Sequence, residues 1–151
     1  MSLMPPPFYG SPVFPAAGLA LAFVLVHGYR VLPGIWLGAL LMSQLVGWQT
    51  ETLGPTTWLP GIAEGTGATL QAALGAWLID RPRRCDWQRM EQEGDVLRFM
   101  LRAGLLAGVI SASIGISAAI LLGLMHHDQV LLDWWFWYSG DVLGIMLFAP
   151  L

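Results

Sequence analysis

The sequence predicts an all-α fold: a polytopic transmembrane helical bundle of about five spans. Three observations predict it. Charged residues occupy only 11% of the 151 positions, apolar residues occupy 56%, and the mean hydropathy is +0.61, whereas soluble domains carry about a quarter charged residues. The apolar residues are gathered into runs approaching the ~20 residues that a helix needs to cross a ~30 Å hydrocarbon core. The turns between those runs fall into two kinds, with and without arginine. The net charge of −3 matters less than this placement, and the absence of lysine leaves no polybasic tail suited to nucleic acid.

Residues 1–13 form an extramembrane lead. Their prolines precede the first apolar run and no basic stretch opens the chain, so these residues are not expected to be a secretory signal. The first run spans residues 14–29, "FPAAGLALAFVLVHGY", and is closed by Arg30. The second spans 32–48, with Pro33 in its first turn, where a missing N–H costs least. A polar turn containing Glu51 and Pro55 leads to the third run, 58–79. Residues 80–95, "DRPRRCDWQRMEQEGD", are the only strongly charged stretch, and Asp95 is placed to cap the next helix. That helix reads over residues 96–125, roughly 45 Å at helical rise, which suggests an interfacial entry over 96–102 and a span over 103–125. A break at Ser111–Gly115 would divide this run and give six spans. "HHDQ" then leads to the last run, 131–151.

Orientation follows from the arginines, because cytoplasmic loops are enriched in Lys and Arg. Arg30 separates runs one and two, and Arg81, Arg83, Arg84 and Arg89 separate runs three and four. The other two turns hold Glu51, Asp128 and Asp133 but no arginine. Five crossings put both basic turns on one side, with Leu151 at the cytoplasmic face of a bacterial inner membrane. Trp48, Trp58, Trp134 and Trp135 then form an outer aromatic belt, and Trp36, Trp77 and Trp87 an inner one.

Packing in lipid depends on close backbone approach rather than on a hydrophobic drive. Small residues recur four apart at Gly34 and Gly38, Gly61 and Gly65, Gly104 and Gly108, and along Ser111, Gly115, Ala119 and Gly123. Contact between helices of one chain is the favoured reading, and a homodimer face is the lesser one.

Ionisable groups inside a membrane are costly and tend to face a partner or water. Asp141 lies seven residues past Trp134, roughly 10 Å deep at helical rise. Glu64 lies six past Trp58, and Gln44 four before Trp48. With Trp135 they form the candidate ligand-binding set, an outward-opening polar pocket for a cation, a polar ligand or a shared proton. The plainer alternative is that each carboxyl only accepts a neighbouring hydroxyl or caps a helix.

No catalytic apparatus is expected. Ser111 and Ser113 have no histidine or acid at matching depth, and "GTGATL" has neither the preceding strand nor the lysine of a phosphate loop. Cys85 is the only cysteine, which excludes an internal disulfide. His27 lies near the inner end of its helix and His126 and His127 near the outer end of theirs, so no single metal joins them. No metal or cofactor is expected.

Two stretches carry a family resemblance. "FPAAGLALAFVLVHGYRVLPGIWLGALL" over 14–41 and "DWWFWYSGDVLGIMLFAPL" over 133–151 resemble the first-described class of bacterial membrane-associated sensor domain. Trp135, Gly140, Asp141, Gly144 and Pro150 match its terminal pattern, and "GTGATLQAALGAWLIDR" and "DVLRFMLRAGLLAGVISASIG" are similar to its middle helices. The resemblance covers nearly the whole chain. It implies a sensory input module joined after Leu151 to a histidine kinase or a cyclic-di-GMP turnover domain, with signalling through that partner. The chain departs from the family in lacking a helix before "FPAAG", in stopping at "APL", and in carrying Ala68 and Gln71 where similar sequences often have Asn and Glu. The first two departures suggest a fragment. The rival reading is a small substrate-binding membrane subunit of an uptake transporter, which would share the few helices and the outward pocket.

Overall fold

A computed structural model describes residues 13–49, 55–80, 99–124 and 130–149. The described chain is helical throughout, with no strand. Its α-helices are α1 (Pro15–His27), α2 (Leu32–Gln49), α3 (Pro55–Asp80), α4 (Ala107–Leu121) and α5 (Val130–Phe148). A 3₁₀ turn, Tyr29–Val31, joins α1 to α2, and a π-helical segment, Met100–Leu106, runs directly into α4. Each apolar run of the sequence therefore contains one helix.

The boundaries differ from the expected ones for local reasons. Phe14 is the N-cap of α1 and Pro15 its first helical residue, where the fixed φ and missing N–H are tolerated. Gly28 ends α1 at φ +76°, a conformation costly for other residues, so the helix stops short of residue 29. Pro55 opens α3 earlier than the expected residue 58. The helix predicted to end at 125 ends at Leu121: the Gly123 N–H (φ +68°) donates to the Ile120 carbonyl at 3.0 Å, and the Leu124 N–H to the Ala119 carbonyl at 2.9 Å. That pair of bonds is a Schellman closure. The chain is unbroken at Ser111–Gly115, which lies inside α4; its departure from α geometry falls earlier, at Met100–Leu106. The expected Asp95 cap, the 80–95 loop beyond Asp80, Cys85, Trp87, His126 and His127 lie outside the described residues.

Helix α3 is the hub and packs against α1, α2 and α4, while α5 packs against α1 and α4. Alanine is frequent among the buried residues: Ala72, Ala76, Ala103, Ala107, Ala112 and Ala119 lie beside Leu21, Val24, Ile79, Phe99 and Ile145. Leu37, Leu41, Met42, Trp48, Leu121, Leu131 and Phe136 are exposed. Large apolar side chains left outside a closely packed interior suit a bundle whose surroundings are as apolar as its core. Tyr29–Trp48 and Met100–Leu121 are each long and apolar enough to cross a membrane.

Two apolar clusters divide the interior. The inner one joins Leu21 and Val24 of α1, Ala72, Ala76 and Ile79 of α3, Phe99 and Ala103, and Ile145 of α5. The outer one joins Ile116 and Ala119 of α4 with Val130, Trp134 and Trp137 of α5.

Candidate functional site

The level between those clusters is polar. On α5, Asp141 is four residues from Ile145 of the inner cluster and four from Trp137 of the outer one, or ~6 Å each way at helical rise. Asp141 is 1% exposed, among the most buried side chains described. The hydrogen-bonding side chains that face it are Ser111 of α4 and Gln71 of α3, both buried. Asp141 Oδ2 and Gln71 Nε2 nevertheless have no hydrogen-bond partner among the described residues. Buried polar atoms of this kind are rare in native proteins and call for an explanation.

The backbone of α5 is fixed at the same turn. The Phe14 N–H donates to the Gly140 carbonyl at 3.0 Å. A Cβ on Gly144 would land on the Phe14 carbonyl oxygen, and one on Gly18 would land on the Gly144 carbonyl oxygen. Helices α1 and α5 thus meet main chain to main chain beside Asp141, an approach only glycine permits.

The four expected site residues are not gathered around one point. Glu64 accepts a hydrogen bond from the Ser43 hydroxyl, across the α2–α3 contact. Just below it, Trp36 Nε1 donates to Thr66 Oγ1 at 3.3 Å. Gln44 lies on α2 beside Ser43, half-buried and engaged in interactions of its own. Trp135 is 60% exposed on the outer surface of α5, where its ring centroid lies 5.8 Å from that of Tyr138. Asp141 and Glu64 therefore have separate partners. The reading of Ser111 as lacking an acid is corrected: α4 and α5 run antiparallel and bring Asp141 to it. Gln71 was noted in the sequence only as a departure from the family. What could have singled it out is its position seven residues after Glu64, on the same face of α3 two turns deeper.

Other polar groups tie α5 to α4. Trp134 Nε1 donates to Ser113 Oγ at 3.2 Å, and the Tyr138 hydroxyl donates to the Leu105 carbonyl of the π segment at 3.2 Å. His27 stacks on Phe23 with centroids 5.5 Å apart. No group of three or more His, Cys, Asp or Glu side chains able to hold a metal occurs among the described residues.

The MASE1 family model matches residues 3–151. The chain belongs to the MASE1 family. MASE1 is a membrane-associated sensor domain, so sensory input is the role of this chain, as the terminal pattern around Asp141 implied. No curated protein and no solved structure matches it. The Asp141 cluster of this MASE1 chain thus stands on its own geometry.

Proposed function

We propose that this MASE1 domain is a multi-pass sensor of the bacterial inner membrane that passes a signal through α5 to a cytoplasmic output domain following Leu151. The output would be a histidine kinase or an enzyme of cyclic-di-GMP turnover. The observation that carries the reading is that one helix, α5, both bears the incompletely satisfied buried carboxyl of Asp141 and leads to the carboxyl end. A change at Asp141 alters contacts with α3 and α4 at the turn where α5 is fastened to α1. Two helix arrangements of similar free energy, biased by that change, would suffice for signalling.

Asp141, faced by Gln71 and Ser111, is the centre of the proposed site, and Glu64, Gln44 and Trp135 would contribute from separate contacts. Five crossings with the arginine-bearing turns inside would deliver Leu151 to the cytoplasm. Family membership favours this reading over a transporter subunit. A reporter active only in the cytoplasm, fused after Leu151, should be active, and the reading frame after Leu151 should encode a kinase or cyclic-di-GMP domain. Activity only from a periplasmic reporter would overturn the topology and the signalling route with it.

A further inference from the structure

The buried level between the two apolar clusters contains an acceptor, Asp141 Oδ2, and a donor, Gln71 Nε2, with no partners. An ionised carboxylate here needs a countercharge, since moving such an ion into a low-dielectric interior costs several kcal/mol even after relaxation. The surrounding elements supply none. Helix α3 offers the neutral Gln71 and α4 the neutral Ser111. Helix α1 brings Gly18 against Gly144, and the π segment brings Gly104 against Met146 and Val142. The titratable groups on these elements are Glu64 and the terminal Asp80 on α3, His27 at the end of α1 and Arg102 on the π segment, with Asp133 and Tyr138 on α5 itself. None of them acts on the Asp141 carboxyl. Glu64 is engaged by Ser43 and Tyr138 by the Leu105 carbonyl.

One hydrogen atom resolves the deficit at Asp141. On Oδ2 it removes the uncompensated charge and supplies an O–H donor. A carboxamide presents either its oxygen or its nitrogen after a half-turn, so Gln71 can accept from that O–H.

We propose that the Asp141 carboxyl is a proton-binding site: the ligand of the buried cluster is a single proton, held neutral against Gln71 and Ser111 and exchanged with water. Loss of that proton leaves a carboxylate that must recruit water, which loosens α5 from α3 and α4 at the turn clamped to α1. The link from this loosening to an output rests on the sensory reading above; the proton site itself does not.

The test is infrared difference spectroscopy of the domain in lipid nanodiscs between acid and alkaline pH. A carboxylic acid carbonyl band should be present at low pH, vanish at high pH and shift in D₂O. It should be absent from Asp141→Asn and displaced but still titrating in Asp141→Glu, which keeps the assignment secure if the Asn variant fails to fold. No band differing between wild type and either variant, at any pH, overturns the proposal. A band abolished by sodium or potassium at fixed pH also overturns it, in favour of a cation site. If Asp141→Asn changes the output of the full reading frame while no band titrates, the proton falls and the sensory role stands. If the band titrates but Leu151 proves periplasmic, the proton site is supported and the signalling route falls.

Discussion

Two helix seams in this bundle solve the same packing problem by different means. Where α1 meets α5, the contact is main chain on main chain: Phe14 donates to the Gly140 carbonyl, and Gly18 and Gly144 leave no room for a methyl group. Where α2 meets α3, mostly side chains mediate. A Cβ on Gly61 would lie 3.0 Å from Ser43 Cβ and 3.1 Å from Leu40 Cδ1, and the polar links are Ser43 to Glu64 and Trp36 to Thr66. Side chains can repack when perturbed, whereas a carbonyl in a helix cannot move without its helix. The comparison teaches that the seam beside Asp141 is the stiff one, and that α2 is held more adaptably.

The largest effect that would sharpen this contrast is expected from Gly144→Ala. Its methyl meets the Phe14 carbonyl, so the variant should lose about 3 kcal/mol, read as a lower SDS fraction at the unfolding midpoint in mixed micelles. A neutral result would mean that the α1–α5 seam yields as readily as the other. Ser43→Ala comes next: Glu64 loses its hydroxyl donor, for about 1.5 kcal/mol, with the α2–α3 distance by spin labels unchanged because packing persists. Gly38→Ala should act in the opposite direction. No atom lies within 4 Å of a Cβ there, so alanine should stabilise by about 0.8 kcal/mol through helix propensity; destabilisation would show that something covers this face of α2. Trp36→Phe should have the smallest effect, about 0.6 kcal/mol, since Thr66 keeps its bond to the Ile62 carbonyl at 2.7 Å. A thermal midpoint shift as large as that of Gly144→Ala would erase the distinction between the seams.

Helix number and approximate position were legible because apolar runs and turn residues act locally. Burial was partly legible too: an ionisable residue inside an apolar run is expected to face a partner rather than lipid, and Asp141 is buried. What counting could not supply is azimuth. Glu64 and Asp141 looked like partners because each lies a similar number of residues from a tryptophan, yet Glu64 meets α2 and Asp141 meets α3 and α4. Which helices are neighbours depends on long-range packing, and no periodicity in α3 or α5 encodes it. The glycine pairs illustrate the same limit. Gly104 and Gly108 pack on α5 while Gly34 and Gly38 face open space, although the spacing is identical.

The π segment Met100–Leu106 has a consequence for how α4 is indexed. The Ala107 N–H reaches back to the Arg102 carbonyl, five residues earlier, so this stretch spends more chain per turn than the α-helix it feeds. The portion that holds Phe99 and Ala103 in the Leu21–Ile145 cluster is thereby phased independently of the portion that presents Ser111 to Asp141. The helix behaves as two rulers joined at a sliding zero mark. Shortening the stretch by one residue would swing the inner ruler by about 100° against the outer one and set Phe99 searching for a different socket.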